Sequence, residues 1–182
     1  MRRVICIVGI SGVGKTTFIN SLKSEIMFQY LSAGSIIKAQ RELESQKLQE
    51  RDTLRHQNID ENQRLLIDGF HNQLDEIQNL ILLDGHTVID TTEGLRAIPS
   101  DVFEALGINE FIMLHDSPDV IARRRSADKS RQRPQLSVQT IEEHQNSTIV
   151  ATAQISRELN IPLLLTSSKL LKDIVIPVLK SV

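Results

Sequence analysis

Gly9-Ile10-Ser11-Gly12-Val13-Gly14-Lys15-Thr16 fits the pattern G-x-x-x-x-G-K-[ST], directly after the apolar run Val4 to Val8 and directly before a segment of helical period. A nucleoside triphosphate carries several negative charges that must be held without side chains crowding the backbone. Gly12 and Gly14 permit that approach, and successive N–H groups from Gly12 to Thr16 make a concave anion site at a helix N-terminus. Lys15 would neutralise the β and γ oxygens and the Thr16 hydroxyl would ligate Mg²⁺, so the expected donor is ATP with magnesium. A second acid belongs near that metal, and Asp84, closing Leu80-Ile81-Leu82-Leu83, could hold it through water. His86 follows two residues later.

Two cationic groups suggest what meets the donor. Between Ala122 and Pro134, Arg123, Arg124, Arg125, Lys129, Arg131 and Arg133 stand against one acid, Asp128. Phosphoryl transfer asks mainly for alignment and for positive groups facing the equatorial oxygens, so an arginine-rich flap closing over ATP fits. Closure would also exclude water as a competing acceptor. Lys38, Arg41, Arg51 and Arg55 lie on a mostly helical insertion over about 35–79 and suggest a clamp for an acceptor that bears its own phosphate. The same four are also readable as a charged helix face interleaved with Glu42, Glu44, Glu50 and Asp52. A hydroxyl acceptor needs a carboxylate near the attacking oxygen, and Ser32-Ala33-Gly34-Ser35 has none, although Asp84 could substitute.

Composition narrows the classes. The chain has 182 residues, 40% of them hydrophobic, enough for one sizeable core. A formal net charge of −2 gives no whole-molecule field for nucleic acid or an anionic membrane, so no specific nucleic acid is expected. No apolar run approaches the roughly 20 residues of a transmembrane helix. The single cysteine, Cys6, allows no intrachain disulfide, which makes the cytoplasm the expected compartment. His56, His71, His86, His115 and His144 never fall at metal-ligand spacing.

The elements that must position these residues alternate. Short β-rich runs at Val4 to Val8, Phe28 to Leu31, Leu80 to Leu83, Phe111 to Leu114 and Pro162 to Leu165 read as strands. Between them, helical period runs over Thr16 to Ile26, Ser35 to Leu48, Glu61 to Ile77, Pro118 to Ala127, Ile141 to Leu159 and Lys169 to Leu179, with a short helix at Ser100 to Leu106. Pro177 should bend or end the last. Strands without a polar face, alternating with helices, call for a parallel sheet covered on both sides. No repeat or linker divides the chain, so a single domain over 1–182 is expected.

Gly9 to Thr17, Gly34-Ser35, Glu50-Arg51-Asp52 with Arg55, Asp84-Gly85-His86, Arg131-Gln132-Arg133 and Glu142-Glu143-His144-Gln145 resemble, in order and at similar spacing, the archaeal-type adenylate kinases. The resemblance covers nearly the whole chain. It implies an α/β fold of the phosphate-loop NTPase kind: a three-layer sandwich with a five-stranded parallel sheet whose central strand leads into the phosphate loop. A helical acceptor clamp over Ser35 to Asn79 and a short lid over Arg124 to Ser137 complete it. The implied reaction is ATP plus AMP giving two ADP, with Mg²⁺. Gly12, Gly14, Lys15, Thr16 and Thr17 match the ATP phosphate site, Arg124 the arginine set against adenine, and Arg131 and Arg133 those facing the transferring phosphoryl. Ser35, Arg51 and Arg55 match the acceptor side, with Lys38 beside them, and Asp84 and His86 lie near the metal and the reacting phosphates. Archaeal members are often trimers, which leaves a homo-oligomer open. Two positions depart from the pattern: Thr148-Ile149 replaces an Asn-Arg pair, and Asp90 stands where a lysine is common. Another small phosphate acceptor, a nucleotide-dependent assembly factor with slow ATPase activity, and a small-molecule hydroxyl kinase remain as alternatives.

Overall fold

The computed structural model describes residues 2–48, 59–128, 135–170 and 174–180. Five parallel strands form the central sheet: β1 (Arg3–Val8), β2 (Gln29–Ser32), β3 (Leu80–Asp84), β6 (Glu110–Leu114) and β7 (Leu163–Thr166), in the order β2-β3-β1-β6-β7. The phosphate-loop strand is therefore central. β4 (Val88–Thr91) and β5 (Gly94–Ala97) make a separate antiparallel hairpin. The helices are α1 (Lys15–Leu22), α2 (Ala33–Leu48), α3 (Ile59–Asn72), α4 (Ser100–Ala105), α5 (Pro118–Ala127), α6 (Val138–Leu159) and α7 (Ile176–Lys180).

Both faces of the sheet are apolar, as parallel strands require. Val4, Cys6, Val8, Ile81, Leu83, Phe111 and Met113 face a core shared with Phe70 of α3, Phe103 of α4 and Ile155 of α6. Ile5, Ile7, Leu82, Ile112 and Leu114 face the opposite core with Phe18 of α1, Ile121 of α5 and Leu179 of α7. Neighbouring residues of one strand thus serve different layers, and this period of two makes the sandwich.

Several helix ends differ from the sequence pattern. Helix α1 stops at Leu22, where the Glu25 and Ile26 N–H groups both turn back to the Leu22 carbonyl at 2.9 and 3.0 Å. Helix α3 stops at Asn72 because side chains capture the backbone beyond it: Asp75 N–H donates to Gln29 Oε1 at 3.0 Å and Ile77 N–H to Asp75 Oδ1 at 2.8 Å. Ile77, which extended the apolar period in the sequence, is 84% exposed. The last segment divides into a 3₁₀ turn at Ser168–Leu170 and α7, and the winding changes from a wide turn at 174–175 to α-helix at Ile176, next to Pro177. The β4–β5 hairpin had no sequence signal: β5 is exposed throughout, and its turn is closed by Thr91 Oγ1 donating to the Gly94 carbonyl at 2.7 Å rather than by an Asn-Gly pair.

Helices α2 and α3 pack antiparallel neighbours through a glycine. A Cβ on Gly69 would stand 2.5 Å from Ile36 Cγ2 and 2.7 Å from Gln40 Cγ, and Ile36 is fully buried. Arg41 Nη2 donates to Asn62 Oδ1 at 2.5 Å across the same pair. Gly69→Ala should therefore destabilise despite a gain in helix propensity of up to about 1 kcal/mol, because overpacking costs about 1–3 kcal/mol. A lowered urea midpoint at unchanged slope is the expected result, with Gly34→Ala, whose Cβ meets nothing within 4 Å, as the comparison.

Candidate active site

The parallel register brings the chemistry to one edge. Ile7 pairs with Asp84, and Ser32 pairs with Asp84 from the other side, so β1, β2 and β3 end in one row where the chain leaves the sheet. From there Gly9 to Gly14 turn back into α1 with Gly9, Gly12 and Gly14 at φ 145, 91 and 108. Gly14 is the N-cap of α1, which leaves the first N–H groups of the helix aimed at the loop's hollow.

Lys15 lies over this loop with its side chain 9% exposed. Its ammonium donates to the Gly9 carbonyl at 2.7 Å and stands 3.8 Å from Asp84 Oδ1. A buried ammonium needs such partners, and Asp84 supplies the opposing charge. Tyr30 on β2 reaches the other oxygen of that carboxylate, with its hydroxyl 3.5 Å from Asp84 Oδ2. Nothing in the sequence singled out Tyr30; only the β2–β3 pairing brings it there.

A cleft of about 690 Å³ opens over these groups. It is lined by Gly12, Gly14, Lys15, Thr16 and Thr17, by Ser32 and Ser35 on the α2 side, and by Asp84, His86 and Arg124. Nine of the candidate site residues of the sequence thus line one cavity, with Ser32 beside them, and Lys38 does not. Lys38 lies on an adjoining cavity of about 380 Å³ on the α2 surface with Arg41, its Nζ 3.8 Å from Glu42 Oε1. Arg51, Arg55, Arg131 and Arg133 lie outside the described residues.

Arg124 and Arg125 straddle the phosphate loop. Arg124 Nη1 donates to the Val13 carbonyl at 2.9 Å and Nη2 sits 3.0 Å from Asp116 Oδ2, on the cleft side. Arg125 Nη1 donates to the Ser11 carbonyl at 3.2 Å, and a Cβ on Gly12 would lie 2.6 Å from Arg125 Cγ. Gly12 is therefore required twice, by its φ and by this approach. Asp116 is itself held by a reciprocal pair: its N–H donates to Gln145 Oε1 at 3.2 Å and its carbonyl accepts from Gln145 Nε2 at 3.0 Å. This gives Gln145 of α6 a structural task that the motif around it had not indicated.

The donor set suits magnesium. Thr16 and Asp84 offer a hydroxyl and a carboxylate to the same cleft, hard oxygen ligands few enough to leave room for water and phosphate oxygens. Among the described residues no group of three or more His, Cys, Asp or Glu gathers as a separate metal site. Cys6, buried beneath the loop, has its thiol pushed well up by burial and then by Asp84, against a smaller opposing effect of Lys15. It is a packing residue rather than a nucleophile.

His86 meets solvent in the cleft mouth yet is walled by protein. Burial first and the Lys15 charge second lower its pKa to about 4 from 6.5, so the imidazole is neutral at neutral pH. In nuclear magnetic resonance its ring signals should titrate with a midpoint near 4, and Lys15→Met should move that midpoint upward. Because the unfolded chain takes the proton first, this group's contribution to stability is complete above about pH 6.5 and declines as pH falls towards 4. A midpoint of 6.5 in the folded protein would contradict the assignment.

Comparison with known proteins agrees with this geometry. A family model described as an AAA domain matches residues 8–142. The chain is 32% identical over 149 residues to an adenylate kinase of Thermoplasma acidophilum, covering 80% of this chain and 77% of that protein. It is 30% identical over 149 residues to an adenylate kinase of Methanocaldococcus jannaschii, covering 78% of this chain and 77% of the relative. Among solved structures, a Thermus thermophilus protein superposes with TM-score 0.53 at 15% identity, covering 98% of this chain and 96% of that one. A shikimate kinase of Bacteroides thetaiotaomicron gives 0.50 at 18% identity, covering 91% and 86%. The last two establish the fold alone.

Proposed function

Because this chain belongs to the archaeal-type adenylate kinase family, we propose that it is a phosphotransferase, a nucleoside monophosphate kinase that turns ATP and AMP into two ADP. The carrying observation is one cleft with the phosphate loop and Lys15 on one wall and Ser32 and Ser35 on the other. Two anionic reactants can meet there in line.

The α-, β- and γ-phosphates lie along the Gly12–Thr17 N–H groups, with Lys15 exchanging its Gly9 carbonyl for phosphate oxygens. Thr16 and Asp84 would hold magnesium, which would supply neutralisation of phosphate charge. Arg124 faces the adenine side of the donor. Neutral His86 adds a hydrogen bond to the reacting phosphates without adding charge. The acceptor enters past Ser35, on the α2 side of the cleft, and its phosphate oxygen is already ionised, so the attack needs no general base. In this reading one domain over 1–182 carries the acceptor clamp over about 35–79 and the lid over about 124–137. Arg51 and Arg55 hold the acceptor, and Arg131 and Arg133 close on the transferring phosphoryl. The proposed setting is the cytoplasm.

The test is ADP formation from MgATP with AMP, with each other monophosphate, and with no acceptor. AMP should stimulate turnover strongly. Lys15→Met should lower kcat about 10²–10³-fold with an unchanged circular dichroism spectrum. Turnover indifferent to acceptor would favour an ATPase instead.

A further inference from the structure

A second cavity of about 390 Å³ branches from the cleft at Ile10, Ser11 and His86, which line both. It runs between the β4–β5 hairpin and α6, away from α2 and α3. The reaction proposed above leaves it unused. Its size lies within the range of small-molecule sites, about 300–1,000 Å³.

Its walls differ from those of the main cleft. Val88, Leu95, Leu136 and Ile141 make apolar sides, while Ser11, Asp90, Arg125 and His144, with His86 at the mouth, are groups able to bond a ligand. Thr148 also lines it, but its hydroxyl is spent on the His144 carbonyl at 2.8 Å. Arg125 holds the loop end through the Ser11 carbonyl. One cation and one acid cancel, so the cavity lacks the positive surplus that a phosphate-bearing molecule needs. Apolar walls with a carboxylate acceptor among them suit a flat, uncharged ligand carrying N–H or O–H donors.

We propose that this side cavity seats a second class of phosphoryl acceptor, an uncharged nucleoside. Its base lies between Leu95 and Ile141 with donors to Asp90, and a sugar hydroxyl points to Ser11. The hydroxyl oxygen forms a bond to Pγ of ATP as the bond from Pγ to the β,γ-bridging oxygen breaks. ADP leaves, and the hydroxyl proton passes to the His144 imidazole, which lines this cavity and not the main cleft. The product is a nucleoside monophosphate.

The experiment supplies MgATP and carbon-labelled adenosine, cytidine, guanosine or uridine to the full chain and follows label into nucleotide. At least one should be phosphorylated. His144→Gln should lower kcat about 10²–10³-fold at little-changed KM for the nucleoside, the mark of lost proton transfer. Asp90→Leu should raise that KM about tenfold or more with kcat little changed. Leu95→Trp, on an exposed hairpin strand, should block nucleoside phosphorylation by filling the cavity. Label remaining in all four nucleosides with wild-type protein overturns the proposal. So does wild-type nucleoside phosphorylation by a folded Leu95→Trp chain, which would put the acceptor elsewhere. AMP-dependent ADP formation, measured in parallel, judges the monophosphate kinase reading separately.

Discussion

An ammonium held beneath an open cleft is the constraint on which this molecule's architecture turns. The side chain of Lys15 is nearly buried, and a buried charge is tolerated only beside partners. The Gly9 carbonyl and the Asp84 carboxylate provide them. Both partners depend on the sheet. The β1–β3 register puts Asp84 level with Ile7, and any slip would turn the carboxylate into one of the apolar layers. Central placement of β1 then follows, because its side chains serve both cores at once.

The same charge governs the neighbourhood. It adds to burial, the larger cause, in keeping His86 neutral, and Asp84 stands opposite it as the countercharge. In the proposed reaction, triphosphate would replace one set of oxygens by another around a lysine already in position. Preorganisation of this kind lowers the reorganisation that binding would otherwise require. Tyr30 belongs to the arrangement as well, since it fixes the second oxygen of the carboxylate that Lys15 faces.

Most of the sheet could be read from the sequence because apolar runs in a parallel sheet are continuous, and all five were found within a residue or two. The phosphate loop was legible for a similar reason: Gly12, Lys15 and Thr16 act through local backbone, and local spacing encodes them. Helix ends were less so. Asp75 and Gln29 stop α3 through contacts made 46 residues apart, which no local period records. The same holds for Tyr30, Asp116 and Arg125, whose roles arise from pairings across the fold. The hairpin at β4 and β5 escaped because a solvent-facing strand carries no apolar alternation. Lys38, read from the sequence as part of an acceptor clamp, lies on the adjoining α2 cavity, which shares Gly34 with the main cleft.

Arg124 and Arg125 are adjacent in one helix and grip the phosphate loop from opposite sides, each by a carbonyl of the loop. In α5 neighbouring side chains differ by about 100° around the axis. Inserting or deleting one residue ahead of the pair would rotate both guanidiniums off their carbonyls together, whereas Arg123, bonded among the described residues to Asp119 of its own helix at 3.4 Å, could be exchanged without disturbing the loop. Divergent descendants of this chain should consequently vary freely in the side chain at 123 while keeping the length of this helix invariant.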